Sequence, residues 1–148
     1  MDERQPRFLA DVGACVEQVL AQVGNKIVLC LPIGAGKPVA LANEFWRRAV
    51  ADPSIELTIL TGLTLRRPRG KSELERRLVE PMAERVFAGG PDPEWTDALA
   101  AGAVPANVHI QEFFLEPGAR LQEPQAHQWN ASINYTHVAR KILTAGTN

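Results

Sequence analysis

The segment Gly34-Ala35-Gly36-Lys37-Pro38 places two glycines, a lysine and a proline directly after an apolar run, a composition suited to ligand binding. Glycines allow the backbone to approach a ligand closely, and the helix predicted to follow offers free N–H groups and partial positive charge at its N-terminus. A carboxylate, a phosphate or a developing oxyanion would be stabilised there, and Lys37 would add a full charge. The segment matches neither the dinucleotide fingerprint nor a Walker A loop, so the alternative is a tight turn without a ligand.

A second candidate is the stretch Asn134-Tyr135-Thr136-His137, which gathers four polar side chains around the start of the last predicted helix. Thr136 is predicted to be the N-cap of that helix, with Asn134 and Tyr135 on the preceding loop and His137 in the first turn. The alternative is a capped helix that carries a surface histidine.

The remaining histidines and the cysteines do not indicate a metal site or a nucleophile. His109 and His127 lie far from each other and from His137, and the spacing of Cys15 and Cys30 matches no metal motif. No G-x-S-x-G elbow is present. Both cysteines are therefore expected to be buried thiols in a reducing compartment.

Charged candidates occur in two places. Glu112 and Glu116 follow a predicted strand, where an exposed surface position is favoured over the role of a site carboxylate. Four basic residues lie close together after another predicted strand: Arg66, Arg67, Arg69 and Lys71. They could contact the phosphates of a ligand, but a solvated basic loop is the favoured interpretation.

The elements that position these residues follow from the apolar patterning. Helical spacing from Asp11 to Val23 predicts a helix, and the run Lys26 to Leu31 is typical of a strand buried on both faces. A helix from Val39 to Val50 and a strand from Ile55 to Leu60 complete a strand–helix–strand unit, which favours a parallel sheet.

Further elements are predicted along the second half of the chain. A capping box of Ser72 and Glu75 opens a helix that reaches Phe87, and Pro81 should kink or split it. The remaining predicted elements are a helix over 94–101, a strand over 107–113, a turn at Pro117-Gly118, a helix over 124–129, a strand end over 131–134 and a helix over 136–143. Residues 143–148 are expected to trail off from that last helix.

Length and composition predict one α/β domain over residues 11–148, preceded by a tail over 1–10. Its sheet should be mostly parallel, with helices on both faces. The formal net charge of -1 provides no electrostatic reason to expect nucleic acid or an anionic membrane as a partner. Without an apolar segment typical of a signal peptide or a membrane span, a cytoplasmic location is expected.

Three stretches of the sequence resemble the acetyl-CoA hydrolase/transferase family, which belongs to the family I CoA-transferases. They are KIVLCLPIGAGKPVALANEFWRRAV from Lys26, ELTILTGLTLRRP from Glu56, and FFLEPGARLQEPQAHQWNASINYTHVAR from Phe113. The resemblance spans about Asp11 to Leu143, and the NYTHVAR motif is its most telling part.

The resemblance implies a fold of two similar α/β halves with an active site between them, of which this chain corresponds to the N-terminal half. In this family a glutamate of the second half attacks an acyl-CoA and forms an anhydride and then a glutamyl-CoA thioester. A small carboxylate or water then completes transfer or hydrolysis. None of Glu44, Glu112 and Glu116 is assigned this role, so the nucleophile is expected on a second domain or partner subunit, and this chain alone should be inactive.

The resemblance also implies roles for both candidate segments. The loop Gly34–Pro38 corresponds to one wall of the acyl-CoA pocket, and Asn134–His137 to a second wall. The coenzyme A thioester would be a substrate, with no permanently bound cofactor. A face that normally meets the second half would be exposed, which predicts a homo-oligomer. The alternative function is a non-catalytic module that binds CoA or a nucleotide, or that docks to a subunit.

Overall fold

The computed structural model describes residues 8–87, 89–114 and 120–148, and these form a parallel sheet surrounded by helices. In chain order the elements are α1 (Val12–Val23), β1 (Lys26–Leu31), α2 (Val39–Ala51), β2 (Glu56–Thr61), α3 (Glu73–Phe87), α4 (Trp95–Ala100), β3 (Val108–Glu112), α5 (Pro124–Trp129) and α6 (Tyr135–Ala145). The predicted α/β class is confirmed. Residues 1–7 of the predicted tail, the predicted turn at Pro117-Gly118, and Glu116 lie outside the described residues.

The three strands pair in the order β1-β2-β3, and both pairings are parallel. Side chains alternate between the two faces of each strand, so Ile27, Leu57 and Ile110 share one face. Residues of α1, α2 and α4 join these side chains in the hydrophobic core, among them the fully buried Trp95. Full burial of an aliphatic core side chain such as Leu57 stabilises the fold by about 1.5–3 kcal/mol.

The opposite face of the sheet carries Leu60 and His109 and is approached by the C-terminal helices. The indole of Trp129 in α5 lies 5.0 Å from the His109 ring, centroid to centroid. Burial and the nearby Lys141 of α6 both lower the pKa of His109, with burial the larger cause. Helices therefore lie on both faces, as the sequence predicts.

Local capping explains where the predicted helices begin. Asp11 accepts a hydrogen bond from the backbone N–H of Ala14 at 2.8 Å, and so caps α1. The predicted capping box of α3 is present, because Glu75 N–H donates to Ser72 Oγ while Glu75 Oε2 accepts from Ser72 N–H, both at 3.2 Å. Of the two effects expected of Pro81, a kink or a split, the split does not occur, since one continuous helix spans this residue.

Two predictions at the C-terminus need correction. Residues 131–134 form no strand, although Ala131 N–H donates a hydrogen bond to the carbonyl of Glu112 at 3.1 Å. The last residues do not trail off: Gly146 terminates α6 with a φ of 69°, and the Asn148 side chain pairs with the outer strand β1. That amide accepts from Val28 N–H at 2.9 Å and donates to the Lys26 carbonyl at 2.8 Å. It therefore bonds two backbone groups of β1 in the way a neighbouring strand would.

None of the helices in the described parts of the chain has the length and apolar character needed to cross a membrane.

Candidate functional site

The carboxyl ends of the three strands meet in one row. Leu31, the last residue of β1, pairs with Thr61 of β2, and Thr61 pairs with Glu112 of β3. The segment Gly34–Pro38, here called the glycine loop, follows β1 after only two residues and leads into α2. In open parallel sheets, ligands bind beyond this edge.

The glycine loop owes its shape to Gly34 and to the turn that follows it. Gly34 has a φ of 80°, in the left-handed region that glycine tolerates best, and Gly34–Gly36 form a single 3-10 turn. Pro38 is the N-cap residue of α2, and its carbonyl accepts from Ala42 N–H at 3.0 Å.

Lys37 anchors the glycine loop to the sheet. Its ammonium donates to the Pro32 carbonyl at 2.5 Å and to Thr61 Oγ1 at 2.7 Å, and only 8% of the residue is exposed. Burial lowers the pKa of Lys37, while the negative charge of Glu112 and the thiol of Cys30 act in the opposite direction. The side chain predicted to offer a full charge to a ligand is therefore committed to protein oxygens.

Cys30 is the other titrating group near this lysine. Burial raises the pKa of the Cys30 thiol, and the Lys37 ammonium partly offsets that rise. The structure shows both Cys15 and Cys30 as free and partly buried cysteines. A protonated, partly buried thiol with a raised pKa is poorly suited to nucleophilic chemistry.

A cavity of about 480 Å³ opens beside the glycine loop. The loop and the first turn of α2 form one side, while Val86 and Phe87 of α3 and the segment 90–93 form the other. First-turn N–H groups of a helix have no intrahelical acceptor, so this turn can present donors to the cavity. The lining is mainly apolar, which suits an uncharged chain with a few hydrogen-bonding groups.

Asn43 holds the far wall of this cavity in place, and sequence reasoning did not identify it. It is fully buried in α2, donates to the Asp92 carbonyl at 2.9 Å and accepts from Glu94 N–H at 3.0 Å. In the sequence, Asn43 can be noticed as a polar residue on the apolar face of the predicted helix, between Ala42 and Phe45.

A second cavity of about 740 Å³ adjoins the first, and the two share Leu65, Val86 and Phe87 as lining. Its floor is a cluster of four charged residues, here called the ion cluster: Arg66, Glu112, Arg120 and Glu123. Arg120 pairs with Glu112 at 2.7 Å and with Glu123 at 2.6 Å. Arg66 pairs with Glu123 at 3.2 Å, so the charges of the floor balance each other.

The ion cluster corrects two interpretations made from the sequence. Glu112 was expected at the surface, but it is buried, because it lies on the same side of β3 as Val108 and Ile110. The basic loop is not merely solvated: besides the Arg66 pairing, Arg67 donates to the Gly90 carbonyl at 3.4 Å, and Arg69 lies 3.5 Å from Asp92. Arg120 and Glu123 were not predicted, since no local pattern marks them.

The structure places Asn134–His137 at the start of α6, beside a third cavity of about 580 Å³. Asn134, not Thr136, is the N-cap, because its side chain accepts from Thr136 N–H at 3.2 Å. Tyr135 begins the helix instead of preceding it, and its ring lies 6.3 Å from that of Phe114. His137 is exposed in the first turn, as expected.

The two predicted binding segments do not share a cavity. The cavity at Asn134 and Tyr135 is also lined by Phe113 and Phe114 and has no lining residue in common with the cavity at the glycine loop. Both segments are nevertheless near the carboxyl ends of the strands, since Phe113 directly follows β3.

Within residues 8–87, 89–114 and 120–148, no group of three or more histidine, cysteine or carboxylate side chains is arranged to hold a metal ion. No family model, curated protein or solved structure matches the chain.

Proposed function

We propose that this chain is the acyl-CoA-binding half of a CoA-transferase or acyl-CoA hydrolase, with the nucleophilic glutamate supplied by a second domain or a partner subunit. The observation that carries the proposal is the position of the glycine loop. It follows a parallel strand, leads into α2 and borders an apolar cavity that continues into a second one. A long, mostly uncharged group such as acyl-pantetheine matches such a lining.

The stabilising charge in this proposal comes from backbone and not from Lys37. The ammonium of Lys37 already has two protein acceptors, and the Val39 N–H donates to the Lys37 carbonyl at 2.9 Å. The first-turn amides proposed to act are therefore those of Ala40 and Leu41, which both line the cavity. Amide donors at a helix N-terminus stabilise a developing oxyanion without reorganisation during the reaction. They would therefore act on the thioester carbonyl oxygen when it gains negative charge.

The carboxylates of the described site support an external nucleophile. Glu112 and Glu123 at the second cavity are both paired with Arg120, and Asp92 at the first cavity lies 3.5 Å from Arg69. A carboxylate in a close ion pair with arginine is held in place and is less available for attack than a free one. The free thiols of Cys15 and Cys30 suit a reducing compartment, and we propose a cytoplasmic location.

The test is calorimetric titration of the chain with CoA and with acetyl-CoA, together with an assay of thioester hydrolysis. Binding without turnover is the expected result. Turnover by this chain alone would contradict an external nucleophile, and absence of binding to both ligands would contradict a CoA site on this half.

A pair of matched substitutions locates the site. Ala40→Trp places a large side chain at the exposed, cavity-lining start of α2, and it should weaken CoA binding by about tenfold or more. Ala51→Trp makes the same change at the exposed end of the helix and should leave binding unchanged. Equal affinities for the two variants would place the ligand elsewhere.

A further inference from the structure

The basic loop, residues 66–71, lies between the central strand β2 and α3 and reaches both of the adjoining cavities. Arg66 lines the second cavity. Arg67 donates to the carbonyl of Gly90 at 3.4 Å, and Gly90 lines the first cavity. The guanidinium carbon of Arg67 also lies 6.0 Å from the centre of the Phe87 ring, which borders both cavities. The loop therefore has a cation at the lining of each cavity.

The backbone of the basic loop is held against the start of α3. A Cβ at Gly70 would overlap the backbone of Arg76, so only glycine permits this close approach. The backbone N–H of Lys71 donates to Glu75 Oε2 at 2.6 Å, and the same oxygen accepts from the N–H of Ser72 in the capping box. The carboxylate of Glu75 is thus committed to backbone donors, and the cations of the loop are carried by a backbone of defined position.

Positive charge predominates around the basic loop. Arg66 belongs to the balanced ion cluster, and the loop carries three further cations, Arg67, Arg69 and Lys71. Among the described residues, ion pairing of these three is limited to Arg69, which lies 3.5 Å from Asp92. That pair contributes little, because 82% of the Arg69 side chain is exposed to solvent. The loop therefore offers a positive surface beside the cavities, which suits an anionic ligand group.

We propose that the basic loop binds the phosphates of coenzyme A, so that the site selects the full coenzyme over pantetheine alone. This inference rests on the proposed function, in which the pantetheine chain occupies the apolar cavities. The phosphate end of the same molecule does not match an apolar lining, and the loop places cations directly beside that lining. A phosphomonoester carries about 1.5 to 2 negative charges at pH 7, and guanidinium groups bind phosphate oxygens through two parallel hydrogen bonds.

Calorimetric titration with three probes tests the assignment. The probes are CoA, pantetheine, and adenosine 3′,5′-bisphosphate, which carries phosphates but no pantetheine chain. The wild type should bind CoA about tenfold or more tightly than pantetheine, since only CoA reaches the cations of the loop. A higher salt concentration should reduce this difference, because salt screens charges that are exposed to solvent. Adenosine 3′,5′-bisphosphate should bind weakly and compete with CoA.

Paired substitutions locate the phosphates on the chain. Arg69→Gln combined with Lys71→Gln removes two exposed charges from the loop, and it should weaken CoA binding by about tenfold or more while pantetheine binding stays unchanged. Lys26→Gln combined with Arg140→Gln is the matched control, because it removes an exposed lysine at the start of β1 and an exposed arginine of α6. The control should change neither affinity.

The outcomes separate this inference from the proposed function. Equal affinities of the wild type for CoA and pantetheine, undiminished CoA binding by the loop variant, or an equal loss of CoA and pantetheine binding would overturn the phosphate assignment and leave the proposed function in place. If neither CoA nor pantetheine bound, the proposed function would fail. Binding of adenosine 3′,5′-bisphosphate that the loop variant abolishes would then still support a phosphate site, and absence of binding of all three probes would overturn both.

Discussion

Replacement of Arg120 by methionine should unfold the protein at a markedly lower urea concentration. Arg120 is the centre of the ion cluster, and only 6% of its side chain is exposed, against 5% for that of Glu112 and 11% for that of Glu123. Methionine keeps an unbranched side chain of similar length, but it has no positive charge to balance the carboxylates of Glu112 and Glu123. It also retains a side chain at the left-handed φ of 61°, so the backbone strain is similar in both proteins.

The expected loss is about 3 kcal/mol of unfolding free energy. Loss of one partner from a buried ion pair costs about 3–5 kcal/mol, because the remaining charge stays buried without compensation. Two neighbours moderate the loss here: Arg66 still pairs with Glu123 at 3.2 Å, and Lys37 lies near enough to Glu112 for a Coulombic attraction. The lower end of the range is therefore appropriate, and it is a large part of a typical domain stability of about 5–15 kcal/mol.

The assay is urea denaturation followed by tryptophan fluorescence and circular dichroism. Arg47→Met is the matched control, because Arg47 and Glu94 form a close pair at 2.7 Å with side chains 54% and 40% exposed, and it should cost less than about 1 kcal/mol. Addition of Glu112→Gln to Arg120→Met should recover part of the loss, since the amide removes the uncompensated charge. If Arg120→Met cost no more than Arg47→Met, the reasoning about burial would be refuted.

Three further predictions concern the glycine loop and the cavity wall. Lys37 has a folded-state pKa below its ordinary 10.5, so between those two values the unfolded chain binds more protons and stability should rise with pH. Lys37→Met should abolish this rise of stability with pH, measured by urea denaturation. The comparison is made in a Cys30→Ala background, because the raised pKa of Cys30 makes stability fall with pH in the alkaline range. Gly34→Ala should cost about 1–2 kcal/mol in the same assay because of its positive φ, whereas Gly36→Ala, with open space around the added Cβ and no positive φ, should cost nothing. Asn43→Ala should lower the free energy of unfolding by about 2 kcal/mol, because it removes the two hydrogen bonds to Asp92 and Glu94. It should also weaken CoA binding in calorimetry, since the segment at Asp92 and Glu94 is then released. Unchanged binding would exclude that segment from the site.

Local signals in the sequence were sufficient to predict most of the elements. The periodicity of α1, the continuous apolar run of β1 and the capping box of α3 each depend on residues within a few positions of one another. The strand–helix–strand unit in turn indicated the parallel pairing of β1 with β2. Patterns of this kind are set by side-chain spacing, which is why they can be seen without a structure.

The ion cluster was not predicted because it depends on contacts between distant segments. Arg66 lies after β2, and Glu123 lies just before α5, so their pairing requires the completed sheet. The burial of Glu112, in contrast, is indicated by the sequence itself. Side chains alternate along β3, and Val108, Ile110 and Glu112 therefore face the same buried side. The pairing with Arg120 keeps Glu112 on this buried side despite the general preference of glutamate for the surface.

Lys37 shows how the same residue changes meaning between sequence and structure. Next to glycines and before a helix, a lysine suggests a ligand contact, and the sequence offers no acceptor for it within the loop. The fold supplies two acceptors, the Pro32 carbonyl and Thr61 Oγ1, by bringing the ends of β1 and β2 together beneath the loop. The lysine thus ties the loop to the sheet at a fixed distance, and the first residues of α2 that follow it line the cavity. A lysine that fixes this backbone can influence ligand binding strongly without contacting the ligand, because amide donors act only over hydrogen-bond distances.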